Sequence, residues 1–182
     1  PFSATGQIWN IPPLDPIALA ATDYAHFRDL LRANMRHAGA LRIDHAMALR
    51  RLFIIPEGAT AREGTYVAFP MEGMIRALAE ESVEARCLVV GEDLGTVPEG
   101  FRERMAQANV LSYRVVFFER DGAEFRPPGS YPQKAVACVA THDLPTLAGF
   151  WVGRDIEARR AAGLLPDMES YRRQWDERRQ DK

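Results

Sequence analysis

Three acids stand where apolar runs end: "ALRID" closes on Asp44, "CLVVGE" on Glu92 and "AVACVATHD" on Asp143. An ionisable carboxyl is costly to enclose in protein, so acids in such places need a reason. One of them alone would carry little weight, because acids cap helices and bond loops constantly. Three in successive units of one chain are more pointed. The chemistry open to them is that of a carboxylate pair, one ionised as nucleophile and one protonated as general acid. That is the pair that retaining cleavage of a glycosidic bond requires. The third acid could grip sugar hydroxyls and favour a distorted ring.

The neighbours sharpen this reading. Arg42 and Asp44 are two residues apart, so along a strand both side chains leave one face. A guanidinium beside a carboxylate favours the ionised form, which suits a nucleophile; a purely structural ion pair is an equal reading of these two residues alone. Glu92 and Asp93 are adjacent and alternate. If Glu92 points into the site with Val90, Asp93 points toward the surrounding helices as scaffold. In "ATHDLPT" strict alternation separates His142 from Asp143, and both serve one site only if the strand has already ended. His45 and His142 each adjoin an Asp, a pattern that resembles the His-Asp phosphohydrolases. Metal ligands of that kind sit on helices, whereas these pairs close strands, so no metal is expected. Trp9, Phe2 and Trp151 could stack on sugar rings, although such residues more often simply pack.

The elements that must position these groups follow from periodicity. Tyr24, Phe27, Leu30, Leu31 and Met35 recur at helical spacing over residues 22–37, with Thr22 or Asp23 as cap. A second helix is expected over residues 71–85 after Pro70. A third, over residues 98–108, opens with Pro98, a residue favoured in a first turn. Four strands end the segments "ALRID", "CLVVGE", "SYRVVFFE" and "AVACVATHD", and three of them follow a helix. That order, with apolar runs covered on both faces, predicts an α/β fold with a parallel sheet. Residues 1–16, with four prolines, read as a loop. Met168, Tyr171 and Trp175 share one face of a tail whose charges balance, so a solvated helix is expected there.

Composition is that of a globular chain: 182 residues, 47% hydrophobic, 26% charged, net charge −2. Nothing in that charge calls for nucleic acid or an anionic membrane, and no apolar run approaches the roughly 20 residues of a membrane span. Cys87 and Cys138 lie in apolar runs without Cys-x-x-Cys spacing and read as reduced core thiols of a cytoplasmic protein. The start at Pro1 rather than a methionine points to a piece of a longer chain.

Four segments together resemble one family. "FSATGQIWNIPP", "LRIDHAMAL", "VVGEDLGTVP" and "THDLPTLAGFW" are similar, in this order, to amylomaltase, the 4-α-glucanotransferase of glycoside hydrolase family 77. The resemblance runs over nearly the whole chain. It implies a partial (β/α)8 TIM barrel, about strands four to seven with their helices, and one partial catalytic domain over residues 1–182. In that domain residues 1–16 are an active-site loop, 17–153 the β/α units with the carboxylates and 154–182 a charged helical tail.

The resemblance also assigns roles. Asp44 matches the nucleophile, Glu92 the general acid/base and Asp143 the transition-state stabiliser. Arg42 matches the arginine beside the nucleophile, and His142 a histidine that contacts the donor sugar. Phe2, Ser3 and Trp9 belong to a loop arching over donor and acceptor, and His45 follows the nucleophile in a substrate-binding position. The implied partners are maltooligosaccharides and glucose, with no cofactor and no metal. Asn10 and Ala48 depart from the family, each standing where it usually has glycine. Competing readings are an α-glucan hydrolase with the same acids and a non-catalytic α-glucan-binding fragment. Four strands cannot close a barrel, so the isolated chain is expected to be inactive, relying on the rest of a parent barrel or self-associating through open sheet edges.

Overall fold

The computed structural model describes residues 8, 9 and 11–181. The chain divides into two compact units, residues 1–112 and 113–182. The first unit holds, in order, α1 (Pro16–Ala21), α2 (Ala25–Met35), β1 (Ala40–Ile43), β2 (Arg51–Ile54), β3 (Thr65–Ala68), α3 (Met71–Ala85), β4 (Leu88–Gly91) and α4 (Phe101–Gln107). Then comes β5 (Leu111–Val115), whose last three residues belong to the second unit. The second unit adds β6 (Arg120–Asp121), β7 (Glu124–Phe125), β8 (Ala135–Cys138), α5 (Leu147–Trp151), α6 (Arg154–Ala161) and α7 (Met168–Gln180). The strand order β1, β4, β5, β8 contains the four strands expected from the sequence. The short hairpins β2–β3 and β6–β7 and the helix α1 were not anticipated.

In the first unit β1 runs parallel to β4, from Ala40 beside Leu88 to Ile43 beside Gly91. β4 runs parallel to β5, with Val90 beside Leu111 and Gly91 beside Ser112. Side chains alternate across this sheet. Leu41, Ile43 and Val89 meet the core that α2 and α3 cover, whereas Ala40, Arg42 and Leu88 lie on the other face and are exposed. α2 presents Phe27, Leu31 and Met35, four residues apart, to that core. Burying each such side chain contributes roughly 1.5–3 kcal/mol. Leu30, part of the expected stripe, is exposed instead.

The start of α2 differs from expectation. Neither Thr22 nor Asp23 caps it; Tyr24 stands at the N-cap in the left-handed region and makes no capping bond. Thr22 closes α1 instead, its hydroxyl donating to the Ala18 carbonyl at 2.8 Å. Asp23, also left-handed, accepts from Arg76 at 2.9 Å. Two left-handed residues in a row turn the chain abruptly between α1 and α2 and leave Tyr24 in the core. α4 likewise begins later than expected: Gly100 is its N-cap, and Pro98 lies outside the first turn.

α3 has the expected bounds and buries Met74, Ile75 and Leu78. It also buries Glu81, which accepts from Arg32 Nε and Nη2, both at 2.7 Å, and from Arg28 at 3.1 Å. Burial works against ionisation of Glu81, but the hydrogen bonds and charges of Arg32 and Arg28 outweigh it and hold its carboxyl below the usual range.

In the second unit the tail is not merely solvated. Asp167 caps α7 by accepting from the Ser170 amide at 2.6 Å, and the helix docks on α6. The Tyr171 hydroxyl donates to Glu157 at 2.5 Å. The Trp175 ring lies over Gly153, where a Cβ would sit 2.1 Å from the indole and the backbone φ is +75°; only glycine meets both demands. Arg178 forms a two-pronged bridge to Asp155 at 2.8 and 2.9 Å, with both side chains about nine-tenths enclosed. Its guanidinium also donates to the Phe150 carbonyl and lies over the Phe150 ring, 3.4 Å from the centroid. Desolvation opposes ionisation of Asp155, yet its hydrogen bonds with Arg178 and that residue's charge prevail and keep the carboxyl below the usual aspartate range.

Two outcomes follow for stability. Asp155→Ala leaves Arg178 enclosed without its partner and should destabilise the second unit by about 3 kcal/mol, read as a lower urea midpoint at unchanged slope. Both depressed carboxyls, Glu81 and Asp155, contribute stability that is fully present above the ordinary carboxylate range. That stability should fall as pH drops below about 4. Acid titration followed by circular dichroism should show this loss, with a shallower slope in Asp155→Ala.

Candidate active site

β1 ends at Ile43, and Asp44 is the first residue beyond it. Arg42 Nη1 donates to Asp44 Oδ1 at 2.6 Å, the same-face pairing expected from their spacing. The Asp44 side chain is about 70% exposed. The chain then turns sharply. His45 lies in the left-handed region at φ 44°, ψ 58°, and starts a short 3-10 turn over Ala46–Leu49. Ala46, Met47 and Leu49 of that turn are buried in the core. The turn can sit this close to β4 because Gly91 has no side chain: a Cβ there would meet Ala46 Cβ at 3.1 Å and Met105 Cε at 3.2 Å.

Glu92 follows β4 as Asp44 follows β1, each one residue past the paired ends Ile43 and Gly91. Glu92 is 9% exposed, and backbone groups surround it. Its amide donates to the Ile43 carbonyl at 2.8 Å, and its own carbonyl accepts from the Ala46 amide at 2.8 Å. One carboxylate oxygen accepts from the His45 amide at 2.8 Å and the other from the Leu94 amide at 2.7 Å. The residues just past the first acid thus hold the second one in place.

Asp93 points the other way, as alternation predicts. Its carboxylate accepts from Arg102 of α4 at 2.9 Å and from the Ser112 hydroxyl of β5 at 2.5 Å, and its carbonyl accepts from Arg102 at 2.6 Å. It ties the end of β4 to its neighbours, whereas Glu92 bonds to the turn after β1 and to the Leu94 amide. Arg102 and Ser112 were not singled out from sequence. Only the adjacent acids of "GED" hinted that the second would need partners, and nothing local identified them.

In the second unit β8 ends at Cys138, four residues before His142. The expected strand through Asp143 is therefore too long, and alternation does not separate the pair. His142 and Asp143 occupy an exposed turn, with His142 Nε2 3.3 Å from Asp143 Oδ2 and the Asp143 amide donating to Thr141 Oγ1 at 3.2 Å. Trp151, on α5, is half exposed. Trp9 is exposed in the first unit, while Phe2, Ser3 and Asn10 lie outside the described residues. The first unit thus brings together Arg42, Asp44, His45 and Glu92, and the second holds His142 with Asp143. Among the described residues, no three His, Cys, Asp or Glu side chains gather as a metal site, and no helix is long and apolar enough to cross a membrane.

The chain matches known proteins along its length. The family model described as 4-alpha-glucanotransferase, glycoside hydrolase family 77, covers residues 1–181. A 4-alpha-glucanotransferase of Haemophilus influenzae is 43% identical over 182 residues, all of this chain and 26% of that protein. One from Mycobacterium tuberculosis is 40% identical over 170 residues, 90% of this chain and 23% of that protein. The chain thus spans about a quarter of the length of these curated relatives. The crystal structure of amylomaltase from Corynebacterium glutamicum superimposes with a TM-score of 0.87 at 34% identity, over 95% of this chain and 25% of that one. Amylomaltase from Streptococcus agalactiae in complex with acarbose shares the fold, with a TM-score of 0.71 at 20% identity over 95% of this chain and 37% of that one. With its acids at successive strand ends and a family match from end to end, the chain belongs to the 4-alpha-glucanotransferases of glycoside hydrolase family 77.

Proposed function

We propose that this chain carries the carboxylate site of a 4-α-glucanotransferase and contributes about strands four to seven of a (β/α)8 barrel. The observation that carries this reading is the register of β1 and β4. It supports the reading by pairing the ends of two strands that are each followed by an acid, the exposed, arginine-bound Asp44 and the Glu92 held by two backbone amides, and strand ends are where barrel enzymes do their chemistry. Asp44 attacks the anomeric carbon of an α-1,4-linked glucose while Glu92 protonates the departing glycosidic oxygen. Glu92 then takes the proton of an incoming 4-hydroxyl, and the glycosyl unit passes to another maltooligosaccharide or to glucose. Arg42 balances the charge of Asp44 and fixes its orientation. By resemblance to the family, Asp143 takes the role of transition-state stabiliser and His142 that of a contact to the donor sugar, while Trp9, with Phe2 and Ser3 outside the described residues, takes that of helping a sugar outcompete water. The residues so placed need no metal or organic cofactor. The free thiols of Cys87 and Cys138 support a reducing, cytoplasmic setting.

The test exchanges this chain for the matching segment of the Haemophilus influenzae relative and incubates the product with maltotriose. Glucose plus a ladder of longer oligomers is the expected outcome. Asp44→Asn and Glu92→Gln should each cost roughly 10²–10⁴-fold in rate while leaving the fold intact by circular dichroism. Glucose and maltose alone would make the protein a hydrolase. Retained maltodextrin affinity without turnover would make it a binding fragment.

A second outcome concerns the chain by itself. On one face of β1 and β4, Ala40, Arg42 and Leu88 are exposed although Val90 is buried, whereas parallel sheets are covered on both faces. The isolated chain should show no turnover and scatter light as a species heavier than a monomer. A compact monomer with turnover would contradict this.

A further inference from the structure

Resting on the reading above, we infer that His45 serves through its backbone rather than its imidazole, as the residue that positions Glu92. Three observations carry this. The His45 amide donates to Glu92 Oε2 at 2.8 Å. The next amide, that of Ala46, donates to the Glu92 carbonyl at 2.8 Å. And His45 holds the left-handed conformation, φ 44°, that turns both N–H groups toward the same residue.

A left-handed residue with a side chain costs of order 1–3 kcal/mol when the surroundings enforce it. Here they do. Ile43 is held in the β1–β4 ladder, while Ala46 is fully buried against the place where a Gly91 side chain would be. The backbone must reverse within Asp44 and His45, immediately after the nucleophile. Residue 45 itself is exposed, so packing does not demand an imidazole. What the position demands is tolerance of positive φ, which histidine shares with asparagine and aspartate and which β-branched residues lack. The same turn that presents Asp44 to the sugar therefore sets the carboxyl that must protonate the leaving oxygen. One backbone conformation couples the two halves of the pair.

The prediction separates conformation from side-chain chemistry. In the grafted enzyme His45→Asn and His45→Gly, which keep the left-handed turn but lose the imidazole, should be far less impaired in maltotriose disproportionation than His45→Val. His45→Val should lose about tenfold to a hundredfold in kcat with little change in KM. The loss should largely disappear in the first-turnover release of fluoride from α-maltosyl fluoride, because fluoride leaves without needing a proton from Glu92, whereas the later transfer step still needs Glu92 as base. A loss in His45→Asn as large as in His45→Val would overturn the inference. So would a loss in His45→Val as large in the first-turnover release of fluoride as in turnover of maltotriose.

A readout independent of turnover guards against failure of the functional reading itself. Hydrogen exchange at the His45 amide should be slow in the chain as it stands and fast in Glu92→Ala. Equal exchange in the two would show that the amide does not hold Glu92, whatever the reaction. An inactive graft with a protected amide would instead count against the transferase reading alone.

Discussion

A carboxyl group almost enclosed by protein has to find hydrogen bonds in the groups around it, because leaving it unbonded costs several kcal/mol. The carboxyl group of Glu92 satisfies this demand through two main-chain amides, and two further bonds hold its own peptide groups. Much of the first unit can be understood from that demand. β1 and β4 must run in parallel register so that Ile43 and Ala46 can close on Glu92. Gly91 must lack a side chain so that the turn after β1 can come near. Asp93 must be anchored to α4 and β5 so that the strand end does not swing.

The protein uses its other enclosed acids quite differently. Glu81 and Asp155 are gripped by arginines, which cancel their charge and bind elements together. Such pairs specify packing, since either partner alone would be costly to bury. Glu92 accepts backbone dipoles instead of a full positive charge, and those bonds fix the orientation of its carboxyl group. Asp44 is paired with an arginine but stays open to solvent. The division between scaffold acids and site acids therefore lies in what bonds them and how open they are, not in residue type.

The sequence made some of this legible and hid the rest. The four strands of the larger sheet could be read because apolar runs ending in Gly, Asp or Glu are strong local signals. The span of α3 was legible for a similar reason, from helical periodicity after Pro70. The same-face pairing of Arg42 with Asp44, and the opposite aim of Asp93, followed from strand alternation. The strand before Asp143 was read too long because "AVACVA" stays apolar past Cys138, where pairing actually stops. The start of α2 was misread because two left-handed residues, Asp23 and Tyr24, turn the chain without any signature of their own. The amides that hold Glu92 were invisible for a deeper reason. They are backbone groups brought there by a tertiary register, and no side chain in the sequence announces them.

The central claim is that Asp44 bonds to the sugar while Glu92 manages the proton, and trapping the intermediate tests it most directly. In the grafted enzyme carrying Glu92→Gln, α-maltosyl fluoride should load the nucleophile without an acid, while the missing base slows the second step. Mass spectrometry of the digested protein should then find one maltosyl unit on the peptide containing Asp44, and none in the Asp44→Asn double variant. A maltosyl unit on any other peptide, or none under conditions where fluoride is released, would contradict the account.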